Sequence, residues 1–268
     1  MKKAALTLTI FSALVALAHA GTEQYSGKEM KQVAPLPPAC PTWTGFYAGA
    51  FGGYTFAPTD INLNLGGGWL NGGSSDPFDK NFIEPASPRD LDTNGAELGG
   101  LLGYNYQFNK WVVGLEGAGG YLWQRDSDNT GIFTVPATDN TYSVASSFKT
   151  HYLVTVGPRI GYAFCKWLPY ITGGLAVGDI DFEQGITEHN LFFHERGSVT
   201  DTQVGWMIGG GLEYAFTDHW HARLHYQYVD LGCTDFNSIG TAPFQAYIGN
   251  HEACLREHNV TAAIIFKF

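Results

Sequence analysis

Apolar and polar residues alternate with period two over eight stretches of this chain, and the clearest lies at residues 202–231. There Val204, Trp206, Ile208, Gly210, Leu212, Tyr214 and Phe216 share one face, and Gln203, Gly205, Gly209, Gly211 and Glu213 the other. After the turn Thr217-Asp218-His219, a second arm sets Trp220, Ala222, Leu224, Tyr226 and Tyr228 against His221, Arg223, His225 and Gln227. Each arm is 12 to 15 residues long, more than the roughly 9 to 11 that a tilted strand needs to cross hydrocarbon. Aromatic residues sit near the ends of both apolar faces, where membrane barrels carry girdles at headgroup level. A soluble sheet with one wet face would show the same alternation, so the connections have to discriminate.

The other strands are predicted at about 45–56, 96–108, 111–123, 149–164, 167–178 and 257–268. Short turns at 109–110, 165–166 and 217–219 alternate with long polar segments at about 57–95, 124–147, 179–201 and 232–256. That asymmetry predicts an all-β fold: an eight-stranded antiparallel transmembrane up-and-down barrel, with short periplasmic turns and four long extracellular loops. The first long segment, with Pro58, Pro77, Pro85, Pro88 and several glycine runs, reads as too polar and broken for a centrally paired strand.

Residues 1–20 stand outside this pattern. Lys2 and Lys3 precede an apolar run from Ala4 to Leu17, and Ala18-His19-Ala20 is a small-residue cleavage site, as in a secretory signal peptide. Residues 21–42, with four prolines, read as an extended periplasmic tether ahead of the barrel at 43–268. Removing Lys2 and Lys3 takes the net charge from −10 to −12, an acidic balance that argues against a nucleic-acid partner. Charged residues are only 15% and aromatics also 15%, while a mean hydropathy of −0.10 suits strands that give lipid only every second residue. Four cysteines in an exported chain suggest two disulfides, and spacing alone allows three pairings. The topology puts Cys40 and Cys165 at one end and Cys233 and Cys254 in one loop at the other, selecting Cys40–Cys165 and Cys233–Cys254; four free thiols are the alternative.

Three segments carry a family resemblance. Trp43-Thr44-Gly45-Phe46-Tyr47-Ala48-Gly49, continuing to Tyr54, resembles the opening of the porin-like surface-antigen family of Gram-negative bacteria, relatives of the OmpA-type small barrels. Phe216-Thr217-Asp218-His219-Trp220, followed by Tyr226-Gln227-Tyr228-Val229-Asp230-Leu231-Gly232, is similar to the same family's penultimate hairpin. Phe266-Lys267-Phe268 resembles its ending, which implies that Phe266 and Phe268 belong to the signal read by the barrel-assembly machinery. The resemblance implies an outer-membrane location among lipid and lipopolysaccharide, and a role in envelope integrity and surface interaction. The four cysteines depart from the cysteine-poor pattern of that family.

Counting alternation assigns Glu97, Glu116, His151, Arg159, Glu213, Arg223, His225 and Lys267 to the lumen, where acids and bases should pair. Eight strands leave an interior that side chains just fill, so a polar core is expected, with a small porin as the alternative. Some barrels of this size are lipid-modifying enzymes, and His151 with Ser146 or Ser147, or His225 with Ser238, would be the residues to inspect. No spacing singles them out, and no catalytic site or cofactor is predicted. The third loop holds Glu188, His189, His194, Glu195 and Arg196 without the spacing of a zinc site, so a solvated loop is the expectation. Recognition would sit in the loops. Trp69, Leu70, Phe78, Phe82 and Ile83 in the first, and Leu191, Phe192 and Phe193 in the third, either pack loop on loop or contact a host surface, lipopolysaccharide or a neighbouring protein, while peptidoglycan-associated proteins are a further candidate partner of the barrel as a whole.

Overall fold

The computed structural model describes residues 40–71, 76–88, 90–190 and 193–268. The predicted signal peptide, the tether up to residue 39, and Leu191 and Phe192 lie outside these described residues.

Eight long strands close into an antiparallel ring: β1 (Gly45–Phe56), β4 (Gly95–Phe108), β5 (Trp111–Asn129), β7 (Thr141–Tyr162), β8 (Trp167–Glu188), β9 (Phe193–Ala215), β10 (Trp220–Gly240) and β11 (Tyr247–Lys267). Closure comes from β11, which pairs with β10 on one side and with β1 on the other, Tyr47 lying opposite Lys267. Three tight turns join the strands at the periplasmic end. Asn109 and Cys165 take φ of 55° and 56° there, a left-handed conformation that asparagine tolerates best among residues with a side chain. Cys40 is bonded to Cys165 at this end and Cys233 to Cys254 across β10 and β11 at the other.

The segments expected to be polar loops are largely strand. β5, β7, β8, β9, β10 and β11 run on past the membrane, with β8 and β9 paired without interruption from Trp167↔Tyr214 to Glu188↔Phe193. The reason is visible in Asp179-Ile180-Asp181-Phe182-Glu183, where Ile180 and Phe182 are buried while the acids between them point out. The period is still two, but its sense has inverted. Residues 57–95 are also partly ordered: β2 (Pro58–Gly67) continues the line of β1 and pairs with β11, so a strand exists where a broken loop was expected. On its other side β2 has only β3 (Asp90–Asp92), opposite Pro58–Asp60. Beyond those residues the helix α2 (Asp76–Ala86) bridges the gap, preceded by the short turn of helix α1 (Gly68–Asn71). The Glu84 carboxylate accepts from the Leu65 backbone N–H (2.7 Å), and the Asp79 carboxylate accepts from Asn140 and Tyr142 (2.8 and 2.7 Å) beyond the two-residue strand β6 (Phe133–Thr134).

The wall therefore has two zones. In the membrane ring, Leu98, Leu102, Leu115, Ile171, Leu175, Ile208, Leu224 and Ile264 are exposed outward, to lipid. Above it, a crown buries Phe148, Ile180, Phe182, Leu231 and Leu255 in one cluster and Leu63, Trp69, Ile83, Val144, Ile186 and Phe193 in another.

Candidate functional site

The ring's lumen is crossed by one ionic network. Arg159 on β7 donates to Glu116 on β5 (3.2 Å), to Glu213 on β9 (3.1 Å) and to the Tyr47 hydroxyl on β1 (3.1 Å). Arg223 on β10 donates through Nη1 to both oxygens of Glu116 (2.9 and 2.7 Å) and through Nε and Nη2 to Glu213 (3.1 and 3.0 Å). Tyr47 donates to Glu116 (2.6 Å), His221 bonds Glu213 through Nδ1 (2.8 Å), and the Tyr170 ring lies 3.9 Å from the Arg159 guanidinium. Two guanidinium groups and two carboxylates balance, and every strand of the ring except β4 and β11 contributes. Such pairing offsets the desolvation cost that unpaired charges would carry in a closed interior.

The other residues assigned to the lumen from sequence fall elsewhere or have different partners. His225 is inside but bonds the Tyr170 hydroxyl (2.9 Å) rather than an acid. Lys267 is buried at the periplasmic end, its ammonium on the Thr42 carbonyl. Glu97 is buried beside Asn259, apart from the Arg-Glu network. His151 is not in the lumen: its side chain is 45% exposed and bonds Asp179 (2.6 Å). A register shift on β7 between Lys149 and Leu153 reverses inside and outside there, so counting by twos across it gives the wrong face. Tyr47, Tyr170 and His221 were missed as members of the network; their inward positions were legible, but not which strands face one another across the lumen.

Above this network the lumen contains a cavity of about 40 Å³, lined by Glu97, Glu116, Arg223, His225 and Gln227 among others. That is room for a few waters. Over the cavity Leu122, Phe148, Leu153, Phe182 and Leu231 close the interior again.

A second polar chain runs through the crown's core. The Trp69 indole N–H donates to Glu195 (3.0 Å), Ser238 lies 2.5 Å from Glu195 and 2.6 Å from His251 Nε2, and His251 Nδ1 meets the Gln184 carbonyl at 2.7 Å. Gln184 then donates to Ser146 (2.7 Å) and Ser87 (3.1 Å). Burial pushes the Glu195 carboxyl up, and burial pulls His251 down to about 4, so both groups favour their neutral forms. Ser238, His251 and Glu195 are each 1% exposed. Neither pairing considered from sequence forms: Ser238 bonds His251 and not His225, and Ser146 bonds Gln184 and not His151. His189 and His194 bond Ser143 and Thr187 separately, without a shared set of metal ligands.

Of the apolar residues flagged in the first and third loops, Trp69, Ile83 and Phe193 are buried together in the crown. Phe78 and Phe82 are 56% and 45% exposed, one turn apart on the outer face of α2, whose Asp79 and Ile83 point inward. Leu70 is exposed nearby in sequence.

The sequence is 25% identical over 231 residues to the 25 kDa outer-membrane immunogenic protein of Brucella abortus biovar 1 (strain 9-941), covering 86% of this chain and 84% of that one. It is 29% identical over 212 residues to the 31 kDa outer-membrane immunogenic protein of Brucella melitensis biotype 1, covering 78% and 80%. Among solved structures, Neisserial surface protein A is matched over 84% of this chain and 98% of its own, with 11% identity and a TM-score of 0.39. Residues 8–249 match the family model for the outer membrane protein beta-barrel domain. With a closed eight-stranded ring girdled by outward apolar side chains, the chain belongs to that family and resides in the outer membrane.

Proposed function

We propose that this protein is a non-enzymatic surface barrel: the membrane ring is a sealed mount, and the crown it holds outside the cell supports envelope integrity and contacts a partner. The observation that carries the reading is the Phe78–Phe82 pair. Two large aromatic side chains one turn apart cost solvation unless they meet another surface. They lie on a helix whose adjoining face is held by Asp79 and Ile83, so the pair is presented rigidly. The immunogenic character in the names of the Brucella relatives fits a chain displayed at the cell surface. Contact partners of this kind include a host surface or lipopolysaccharide, and assembly through Phe266 and Phe268 would use the barrel-assembly machinery. The double substitution Phe78→Ser, Phe82→Ser should abolish adhesion of expressing cells to host cells, or weaken it at least tenfold, while the unboiled protein still migrates as a folded barrel. Unchanged adhesion with a folded barrel defeats the reading.

The small-porin alternative predicts steady conductance in planar bilayers. The paired Arg159, Arg223, Glu116 and Glu213 across the lumen support the sealed reading over it, and steady unit openings that disappear in Glu213→Gln would reverse that choice.

A further inference from the structure

On the outer wall, just above the ring, two cations face each other across neighbouring strands. Arg125 on β5 lies directly opposite Lys149 on β7, with both positions on the outward face. Arg125 is exposed, and the Lys149 side chain is 32% exposed. Like charges in directly opposite positions repel, so the pair weakens the sheet unless an anion lies between them. Among the described residues of the crown, the other Lys and Arg side chains are matched to acids: Lys80 to Glu84, Arg196 to Glu183 and Arg256 to Asp60. Lys149 has only Asp181, at 3.9 Å, and the Arg125 guanidinium makes no ion pair or hydrogen bond with a described residue. The other acids nearby are engaged elsewhere. Asp179 accepts from the backbone N–H groups of His151 and Tyr152 (2.8 Å each) and meets the His151 ring (2.6 Å), while Asp126 accepts from the N–H groups of Asp92 and Ser127 (3.1 and 2.8 Å).

Depth selects the anion. The outward positions of β5 run Trp111, Val113, Leu115, Gly117, Gly119, Tyr121, Trp123 and Arg125. Trp111 and Trp123 are both exposed and mark the two aromatic girdles, about 30 Å apart along the membrane normal for a strand tilted by roughly 40°. Arg125 then lies about 5 Å beyond the upper girdle, at the level of the headgroups of the outer leaflet. Below it the wall is apolar and shallow. Gly117 and Gly119 on β5 sit opposite Val156 and Val154 on β7, and Gly100 on β4 lies on the other side of Gly119. A Cβ placed at Gly100, Gly117 or Gly119 would meet nothing nearer than 3.6 Å, so these positions leave an open furrow in the lipid-facing surface.

We propose that Arg125 and Lys149 bind a phosphate of lipid A, the phosphorylated and acylated anchor of lipopolysaccharide, with its chains lying over the glycine furrow. A guanidinium offers a phosphate two parallel hydrogen bonds and an ammonium adds a point charge. Tyr121 and Trp123, immediately below, suit the boundary between headgroup and chain. A phosphate between the two cations replaces their repulsion with a shared attraction and holds one lipid against β5 and β7. The site does not depend on what Phe78 and Phe82 contact, so its failure would leave the surface reading untouched.

The test titrates the full chain, folded in zwitterionic detergent, with purified lipid A, with the same lipid A stripped of phosphate, or with inorganic phosphate, and counts bound ligand by native mass spectrometry. The expected result is saturation at about one lipid A per chain, with affinity falling by about tenfold or more for the dephosphorylated lipid and in Arg125→Gln, Lys149→Gln. Arg196→Gln, at a cation already matched to an acid, should bind lipid A as the native protein does. Equal binding of phosphorylated and dephosphorylated lipid A, or undiminished binding by the double variant, would overturn the proposal. Saturable binding of inorganic phosphate as tight as that of lipid A would overturn the lipid assignment. If the double variant does not fold, the native protein's discrimination between the two lipids decides without it.

Discussion

The ring and the crown are built from the same strands with the same side-chain period, yet each is the other turned inside out. In the ring the outward residues are Leu98, Leu175 and Ile208 and the inward ones Glu116, Arg159 and Glu213; in the crown the outward residues are Asp181, Glu183 and Arg196 and the inward ones Phe148, Ile180 and Phe182. The solvent outside decides. Lipid accepts apolar side chains and forces the polar ones to pair within, while water rewards the opposite assignment. One continuous hydrogen-bonded wall can serve both because period two fixes which residues alternate and leaves open which set faces in.

The largest effect that would sharpen this contrast comes from unpairing the ring's core. Arg223→Ala leaves Glu116 and Glu213 short of a partner and should cost about 3–5 kcal/mol, read as a lower urea midpoint of the detergent-folded barrel. Replacing Glu213 and Arg223 together by leucine should recover much of that loss, whereas a double variant as weak as the single one would mean that charge pairing is not what the interior needs. Next in size is a matched pair on the outer surface of β8. Leu175→Arg places a guanidinium in lipid and should cost about 2–4 kcal/mol, while Asp181→Arg, six residues on along the same strand, should change stability by less than about 0.5 kcal/mol. Equal costs at the two positions would break the inversion. The smallest effect is acidic loosening of the crown. With His251 held down to about 4 in the fold against an ordinary value near 6.5, the folded state takes up fewer protons. Its contribution is present above pH 6.5 and is lost as pH falls toward 4; between pH 6.5 and 5.5 the loss is on the order of 1 kcal/mol. Crown proteolysis should therefore rise over that interval while the ring stays folded, and His251→Asn should flatten the rise.

Much of this was legible in the sequence, and the failures have physical causes. The ring's strands and turns show in the lengths of the connections and in the Val204 to Phe216 alternation. The crown's strands were mistaken for loops because their apolar residues, such as Ile180 and Phe182, are interleaved with acids that look like solvated loop. An expectation tuned to lipid-facing positions stops at the aromatic girdle. Sequence parity places Glu116, Arg159, Glu213 and Arg223 on single faces of their strands. Their meeting depends on the stagger around the ring, which no local pattern encodes. Parity also fails at irregularities, as at His151 on β7 and at the shift between Asp230 and Gly232 on β10, where Gly232 takes a φ of 77° that glycine alone adopts without penalty.

The position of β11 has a consequence for assembly. It is the latest of the eight strands to be synthesised, and it supplies the second edge for β10, for β1 in the ring and for β2 in the crown. Until it docks, both compartments stand open along one seam, with free edges beside the lipid and beside the water. A nascent chain therefore cannot mature one storey before the other, and a stop codon within this strand would forfeit the seal and the surface display in a single stroke.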